Sequence, residues 1–224
     1  MMKKIIGTVT IGQSPRTDVI PDVISVLGPD IEIREAGALD GLSKEKIASF
    51  APQKGDYVLV TRLADGSTVQ VAEQYITPRV NEKIAAHFKS GISVVLLLCT
   101  GEFPDFEEGG LLIRPQKVLF NAAASVAEGM RVGVLTPSPE QVEQAEHRWK
   151  MVSPHARAVP ASPYIDSEAA VKKAAEQLRE WKTDLTILDC IGYTLANKAM
   201  VREITGKPVL LARGVAASMV KELL

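Results

Sequence analysis

The chain contains two cysteines, and each closes a run of the same design. Residues 92–101 read Ile-Ser-Val-Val-Leu-Leu-Leu-Cys-Thr-Gly, and residues 185–192 read Leu-Thr-Ile-Leu-Asp-Cys-Ile-Gly. A short apolar stretch bounded by glycine predicts a strand buried on both faces, as in parallel sheets. Parallel strands need crossover connections, usually helical. Two such runs therefore commit the chain to alternating strands and helices. The cysteines fall at the carboxyl ends of these strands, the edge at which open α/β sheets hold their ligands. A thiol at that edge in each half of the chain suggests a pair facing one cleft. There, one thiol would take a proton from one face of a substrate carbon and the other would return it on the opposite face.

The rest of the chain fits that frame. Strands are expected at Lys4–Ile11, Ile31–Glu35, Ile92–Leu98, Leu111–Ile113, Met130–Leu135, Ala156–Pro160, Leu185–Leu188 and Pro208–Leu211. Helices are expected at Pro15–Leu27 with Ser14 as N-cap, Ser43–Phe50, Pro78–Ser90, Gln116–Glu128, Ser138–Lys150, Asp166–Lys182, Leu195–Thr205 and Val215–Leu224. The N-cap expectations rest on a Ser hydroxyl before a helical pattern and on Pro at the first helical position; Pro21 should kink or restart the first helix. Ala64-Asp65-Gly66, between the β-rich runs Tyr57–Arg62 and Ser67–Ala72, predicts a hairpin.

The alternation defines an α/β class with mostly parallel sheets. Internal symmetry is also visible: Ile6-Gly-Thr-Val-Thr10 resembles Val132-Gly-Val-Leu-Thr136. Gly7 precedes Cys99 by 92 residues, while Gly133 precedes Cys190 by 57, so the first half is longer by 35. The hairpin accounts for much of the excess. The expected organisation is two pseudo-symmetric halves, 1–112 and 113–212, facing a cleft. The boundary falls near Pro104–Phe120, and the terminal helix 213–224 packs back on the first half.

Composition narrows the partners. The 224 residues carry 26 basic and 27 acidic side chains, a net charge of −1. That leaves no basic excess for phosphates and argues against nucleic acid; an aromatic content of 5% argues against base stacking. No stretch approaches the ~20 apolar residues of a membrane span. The basic start Met1-Met-Lys-Lys is followed by an apolar run too short for a signal peptide. Two cysteines do not make a disulfide framework, and a reducing, cytoplasmic compartment is expected. Their alternative reading is as small buried hydrophobes. Homodimers are common among such folds, but no segment marks an interface.

Four strand-end segments would line the cleft: Thr10–Ser14, Cys99–Gly101, Thr136–Ser138 and Cys190–Tyr193. Backbone N–H groups at helix starts attract anions. Hydroxyls from Thr10, Ser14, Thr100, Thr136 and Ser138 could add hydrogen bonds to a carboxylate. Gln13, Gly101, Gly192 and Tyr193 belong to the same segments. Arg16 and Arg62 are candidates for a bidentate carboxylate clamp; surface solvation is the alternative for Arg16, and Asp65 an alternative partner for Arg62. A thiol of ordinary pKa ~8.5 is about 3% ionised at pH 7, so the site must favour the thiolate. Asp189 beside Cys190 would oppose it if the two faced each other; adjacent strand residues point to opposite faces, and both arrangements remain open. Two sulfurs serving one carbon would stand about 7–8 Å apart, two contacts of ~3.5 Å each. No dinucleotide fingerprint, phosphate loop, zinc spacing or Gly-x-Ser-x-Gly occurs, so no metal or cofactor is expected.

The segments Thr10-Ile-Gly-Gln-Ser-Pro-Arg16, Leu97-Leu-Cys-Thr-Gly101, Val132-Gly-Val-Leu-Thr-Pro137 and Leu188-Asp-Cys-Ile-Gly192 resemble the AroM family, across nearly the whole length. That family is similar to the aspartate/glutamate racemase superfamily. The resemblance implies two Rossmann-like halves and cofactor-independent chemistry at one or two cysteines on a small anionic metabolite. Cys99 matches the first catalytic cysteine of that superfamily and Cys190 the second. The amino-acid racemases carry Thr and His after the second cysteine, where this chain has Ile191 and Gly192. Three functions are therefore weighed: a racemase- or isomerase-like enzyme, a non-catalytic metabolite-binding or regulatory protein, and a plain interaction module.

Overall fold

A computed structural model describes residues 4–106 and 109–224. Residues 1–3 of the basic start, and residues 107–108 of the expected boundary stretch, lie outside the described residues. The chain divides into two compact units. One comprises the residues up to Arg114 together with Ala217–Leu224; the other is Pro115–Ala216.

In the first unit, β1 (Lys4–Thr10) lies between β2 (Ile31–Gly37) and β5 (Val94–Leu98), and β6 (Leu111–Ile113) pairs with β5. All these pairings are parallel. In the second unit, β7 (Val132–Thr136) lies between β8 (Arg157–Pro160) and β9 (Leu185–Leu188), and β10 (Val209–Leu211) pairs with β9, again all parallel. The orders β2-β1-β5-β6 and β8-β7-β9-β10 are the same, and so is the register. Gly7 pairs with Arg34 and Val95; Gly133 pairs with Arg157 and Thr186. Cys99 follows Val95 by four residues, and Cys190 follows Thr186 by four. Each sheet is wound outward from its first strand in both directions. The switch point thus falls between β1 and β5 in one unit and between β7 and β9 in the other, where open sheets leave a crevice. Each cysteine lies at that point of its own sheet.

The strands read as continuous apolar runs because both faces are covered. In the second unit, Val132, Val134, Leu185 and Ile187 pack on one side with Leu119, Ala145 and Trp149. Leu135 and Leu188 pack on the other with Val171, Leu178 and Val201. In the first unit Val9, Val95 and Leu97 share a core with Ile76, Val80 and Ile84.

The hairpin forms as expected: β3 (Val58–Arg62) and β4 (Thr68–Ala72) are antiparallel, and Gly66 takes the positive φ of +85° that the turn demands. The helix α2 (Lys44–Ala48) is capped by Ser43, whose hydroxyl accepts from the Lys46 amide. In the second unit α7 (Leu195–Thr205) opens with a capping box of Thr194 and Asn197.

Several helix limits differ from expectation. The first helix, α1, is Ile20–Leu27 rather than Pro15–Leu27, and Ser14 caps nothing. The Ser14 amide and hydroxyl both donate to the Asp40 carboxylate, at 2.8 and 2.6 Å, and the Arg16 amide donates to Glu35 at 2.7 Å. These bonds hold the segment against the end of β2, and Pro21 instead starts the helix. The helix α3 (Glu73–Lys89) begins five residues before Pro78 and contains it. An interior proline costs about 3 kcal/mol. The added turn buries Ile76 completely, which is worth about 1.5–3 kcal/mol. The helix α4 (Pro115–Ala124) ends short of the expected Glu128. A 3₁₀ turn, Pro139–Gln141, precedes α5 (Val142–Lys150), and the Ser138 side chain makes no capping bond. The remaining helices are α6 (Ser167–Glu180) and α8 (Ala212–Leu223). Among the described residues no helix is long and apolar enough to cross a membrane.

Candidate functional site

The two cysteines end their strands in the same turn. The Gly101 amide donates to Cys99 Sγ at 3.2 Å, and the Gly192 amide donates to Cys190 Sγ at 3.3 Å. The spacing Cys-x-Gly produces this bond by folding the backbone back over the sulfur. Glycine is needed for closeness. A Cβ on Gly101 would lie 2.6 Å from Leu59, and one on Gly192 would lie 2.5 Å from the Tyr164 ring and hydroxyl. An N–H directed at sulfur favours the ionised form. The two residues are 8% and 6% exposed, so both are buried, and neither is in a disulfide.

In the second unit the strand-end arrangement also fixes Asp189. Its carboxylate is turned to α5, where it accepts from the Arg148 guanidinium and from the Trp149 indole N–H at 2.6 Å. All three side chains are buried. The neighbouring Cys190 belongs to the core on the other face, as strand alternation requires. Arg213, buried, donates to the carbonyls of Ile191 and Gly192, both at 2.9 Å, and so fixes the turn behind the sulfur. The Tyr164 hydroxyl is 3.8 Å from Cys190 Sγ. Thr136 donates to the Ser138 carbonyl at 3.1 Å. Ser138 Oγ is buried and takes no hydrogen bond among the described residues; it sits just before the 3₁₀ turn and α5. Tyr193 lies in the packed interior of the second unit. It is fully buried and its hydroxyl donates to the Ala161 carbonyl at 2.5 Å. Burial first, then the nearby Cys190, Asp189 and Tyr164, push its ionisation well above the usual range.

In the first unit, most of the expected ligand-binding side chains have hydrogen-bond or ion-pair partners within the unit. Arg16 is 2% exposed, not solvated at the surface. Its guanidinium donates to both Asp18 oxygens at 2.8 Å and to Thr10 Oγ1 at 2.9 Å. Burial works to raise the Asp18 carboxyl, but the hydrogen bond and charge of Arg16 outweigh it and hold the group below its usual value. Thr10 Oγ1 also accepts from the Gly12 amide at 3.2 Å. Gln13 bridges loops: it donates to the Leu39 carbonyl at 3.3 Å and accepts from the Ala64 amide at 2.9 Å. Arg62 pairs with Asp18 at 3.9 Å and donates to the Gly66 carbonyl at 3.2 Å. Asp65 is not its partner; it pairs with Lys44 at 2.7 Å. Thr100 is buried beside Cys99.

Asp18, Arg148, Tyr164 and Arg213 escaped sequence reading. Only Asp18, two residues from Arg16, carried a local signal. Tyr164 precedes Cys190 by 26 residues and Arg148 precedes Asp189 by 41, separations at which sequence gives no pairing cue. Among the described residues no group of three or more His, Cys, Asp or Glu could hold a metal ion.

Residues 6–224 match the family model described as AroM protein. The chain belongs to the AroM family. No curated protein matches this AroM chain. It is similar in structure to allantoin racemase from Klebsiella pneumoniae, with a TM-score of 0.61 at 18% identity, covering 98% of this chain and 86% of that one. It is similar to glutamate racemase from Francisella tularensis in complex with D-glutamate, with a TM-score of 0.61 at 13% identity, covering 100% and 82%. Picrophilus torridus aspartate racemase gives a TM-score of 0.59 at 13% identity, covering 98% and 94%. These likenesses establish a racemase-like α/β fold with two mostly parallel sheets for this AroM chain.

Proposed function

We propose that this protein is a cofactor-independent racemase- or isomerase-like enzyme that moves a proton at a carbon beside a carboxylate or carbonyl of a small anionic metabolite, with Cys99 and Cys190 as its acid–base groups. One observation carries the reading. The only two cysteines occupy the same register position at matching switch points, each with its sulfur accepting the amide of the glycine two residues on.

In the forward step, one thiolate takes the proton. A sulfur–hydrogen bond forms, the carbon–hydrogen bond breaks, and its electron pair moves onto the adjoining carbonyl or carboxylate as an enolate. The other thiol then gives its own proton to the opposite face of the carbon and becomes the thiolate. Charge and atoms balance, and the next turnover runs in the reverse sense. A carbon acid of this kind is far weaker than a thiol, so donors must stabilise the enolate. In the second unit the unsatisfied Ser138 hydroxyl is the candidate donor. Two thiols kept out of a disulfide suit a reducing compartment such as the cytoplasm.

The assay is deuterium uptake at the α carbon in heavy water, with allantoin, glutamate and aspartate as the first compounds, since the structural relatives are named for them. Cys99→Ala and Cys190→Ala should each slow exchange by about 10²–10⁴-fold. The chemistry also requires both sulfurs to reach one carbon, which a short bifunctional thiol reagent joining Cys99 to Cys190 checks. Absence of exchange with every small carboxylate or cyclic ureide tried, with unchanged behaviour of the variants, refutes the reading. A second reading, metabolite binding without turnover, draws on the near-complete burial of both thiols; it requires ligand binding that survives Cys→Ser at both positions.

A further inference from the structure

The surroundings of Cys190 hold one group that its strand does not supply. Tyr164 lies in the loop between β8 and α6, and Ser162 shapes that loop: its hydroxyl accepts the amides of Tyr164 and Ile165, at 3.1 and 3.0 Å. The Tyr164 ring then lies across Gly192. The position a Cβ would take there is 2.5 Å from both Cζ and the hydroxyl oxygen, so the glycine leaves the space that the phenol fills. The Tyr164 hydroxyl is 3.8 Å from Cys190 Sγ, within reach of a sulfur hydrogen bond. The same sulfur already accepts the Gly192 amide. A side chain at 192 and a tyrosine at 164 are thus mutually exclusive beside this thiol.

We propose that Tyr164 is the hydroxyl partner of the Cys190 sulfur, donating a hydrogen bond that stabilises the thiolate and sets the pH at which Cys190 acts. This deepens the acid–base reading given above and rests on it for its catalytic meaning, although the hydrogen bond itself is testable without a substrate. When Cys190 gives up its proton, Tyr164 O–H···S⁻ and Gly192 N–H···S⁻ together replace the water that burial removes. A bond to an ionised acceptor favours that form. The other charged and titratable groups about Cys190 do not provide this bond. The Asp189 carboxylate is turned to Arg148 and Trp149 on α5. Tyr193 gives its hydroxyl proton to the Ala161 carbonyl, and Arg213 donates to the carbonyls of Ile191 and Gly192. Tyr164 is the one among them whose hydroxyl is directed at the sulfur.

The test is a pH titration of Cys190 followed by the Cβ carbon resonance of isotopically labelled cysteine. With Cys99→Ser in every protein, Cys190 gives the only cysteine signal. Tyr164→Phe keeps the ring and removes the hydroxyl. Its titration midpoint should rise by about one pH unit, a roughly tenfold smaller thiolate fraction at neutral pH. Gly192→Ala displaces the ring by another route and should move the midpoint in the same direction. A Tyr164→Phe midpoint within about 0.2 units of its parent overturns the proposal, as does a sulfur that remains a thiol to pH 9.5 in both proteins. The deuterium-uptake assay separates the two ideas: exchange with no midpoint shift sinks the tyrosine alone, whereas a shift without exchange sinks only the enzymatic reading.

Discussion

Asp189→Asn should damage the second unit more than its single changed atom suggests. The carboxylate and its partners Arg148 and Trp149 are buried between β9 and α5. Asparagine keeps an oxygen for the indole N–H but removes the charge that faces the Arg148 guanidinium. A buried ion pair broken from one side costs about 3–5 kcal/mol, mostly because the remaining charge is desolvated without compensation. Arg148→Met in the same background removes that stranded cation, so the double variant should be more stable than Asp189→Asn alone. The coupling should be about 2 kcal/mol, within the range of residues in direct contact. Urea unfolding followed by tryptophan fluorescence reads this cleanly, because both tryptophans, Trp149 and Trp181, belong to the second unit. With a slope of about 2 kcal/mol per molar urea, the Asp189→Asn midpoint should fall by roughly 1.5–2.5 M. A single variant within about 0.5 kcal/mol of the parent would refute the reasoning, and so would a double variant no better than the single. Either result would mean that the pair is solvated or replaceable and that Asp189 does not hold the strand end from which Cys190 projects.

Two further outcomes follow from packing and from protonation. Gly133→Ala would place a Cβ 2.7 Å from Leu178 and 2.9 Å from Thr183, so it should destabilise by about 1–3 kcal/mol. Gly214→Ala, inside α8, meets nothing nearer than 3.9 Å and should be neutral or stabilising by up to about 1 kcal/mol; urea midpoints of opposite sign check the pair. His87, packed on Gly7 with its Nε2–H donating to the Thr8 carbonyl at 3.2 Å, is held below its usual pKa. Burial is the main cause, opposed by the Thr8 bond and reinforced by Arg34. The unfolded chain therefore binds a proton near pH 6.5 that the folded protein resists. Stability is complete above that pH and is lost as pH falls below it. Thermal melts between pH 8 and 5.5 should show this loss, and His87→Gln should flatten it.

The alternation of strands and helices, the hairpin at Asp65-Gly66 and the paired Cys-x-Gly segments are local properties. They arise from side-chain periodicity, glycine's conformational freedom and strand burial, all of which act over a few residues. For that reason the sequence alone determined the α/β class and placed both cysteines at strand ends. The limits of α1 and α3 were not legible in the same way. Asp40 and Glu35 draw Ser14 and Arg16 away from a helix start, and α3 extends back through Pro78 with Ile76 buried. Only the tertiary structure decided which polar groups remain available. It paired Arg16 with Asp18 and Thr10, turned Asp189 from Cys190 to Arg148, and brought Tyr164 to the sulfur across 26 residues. The physical reason is that a buried polar group must find a partner wherever the fold supplies one, and strand order and loop path, rather than neighbouring sequence, choose that partner.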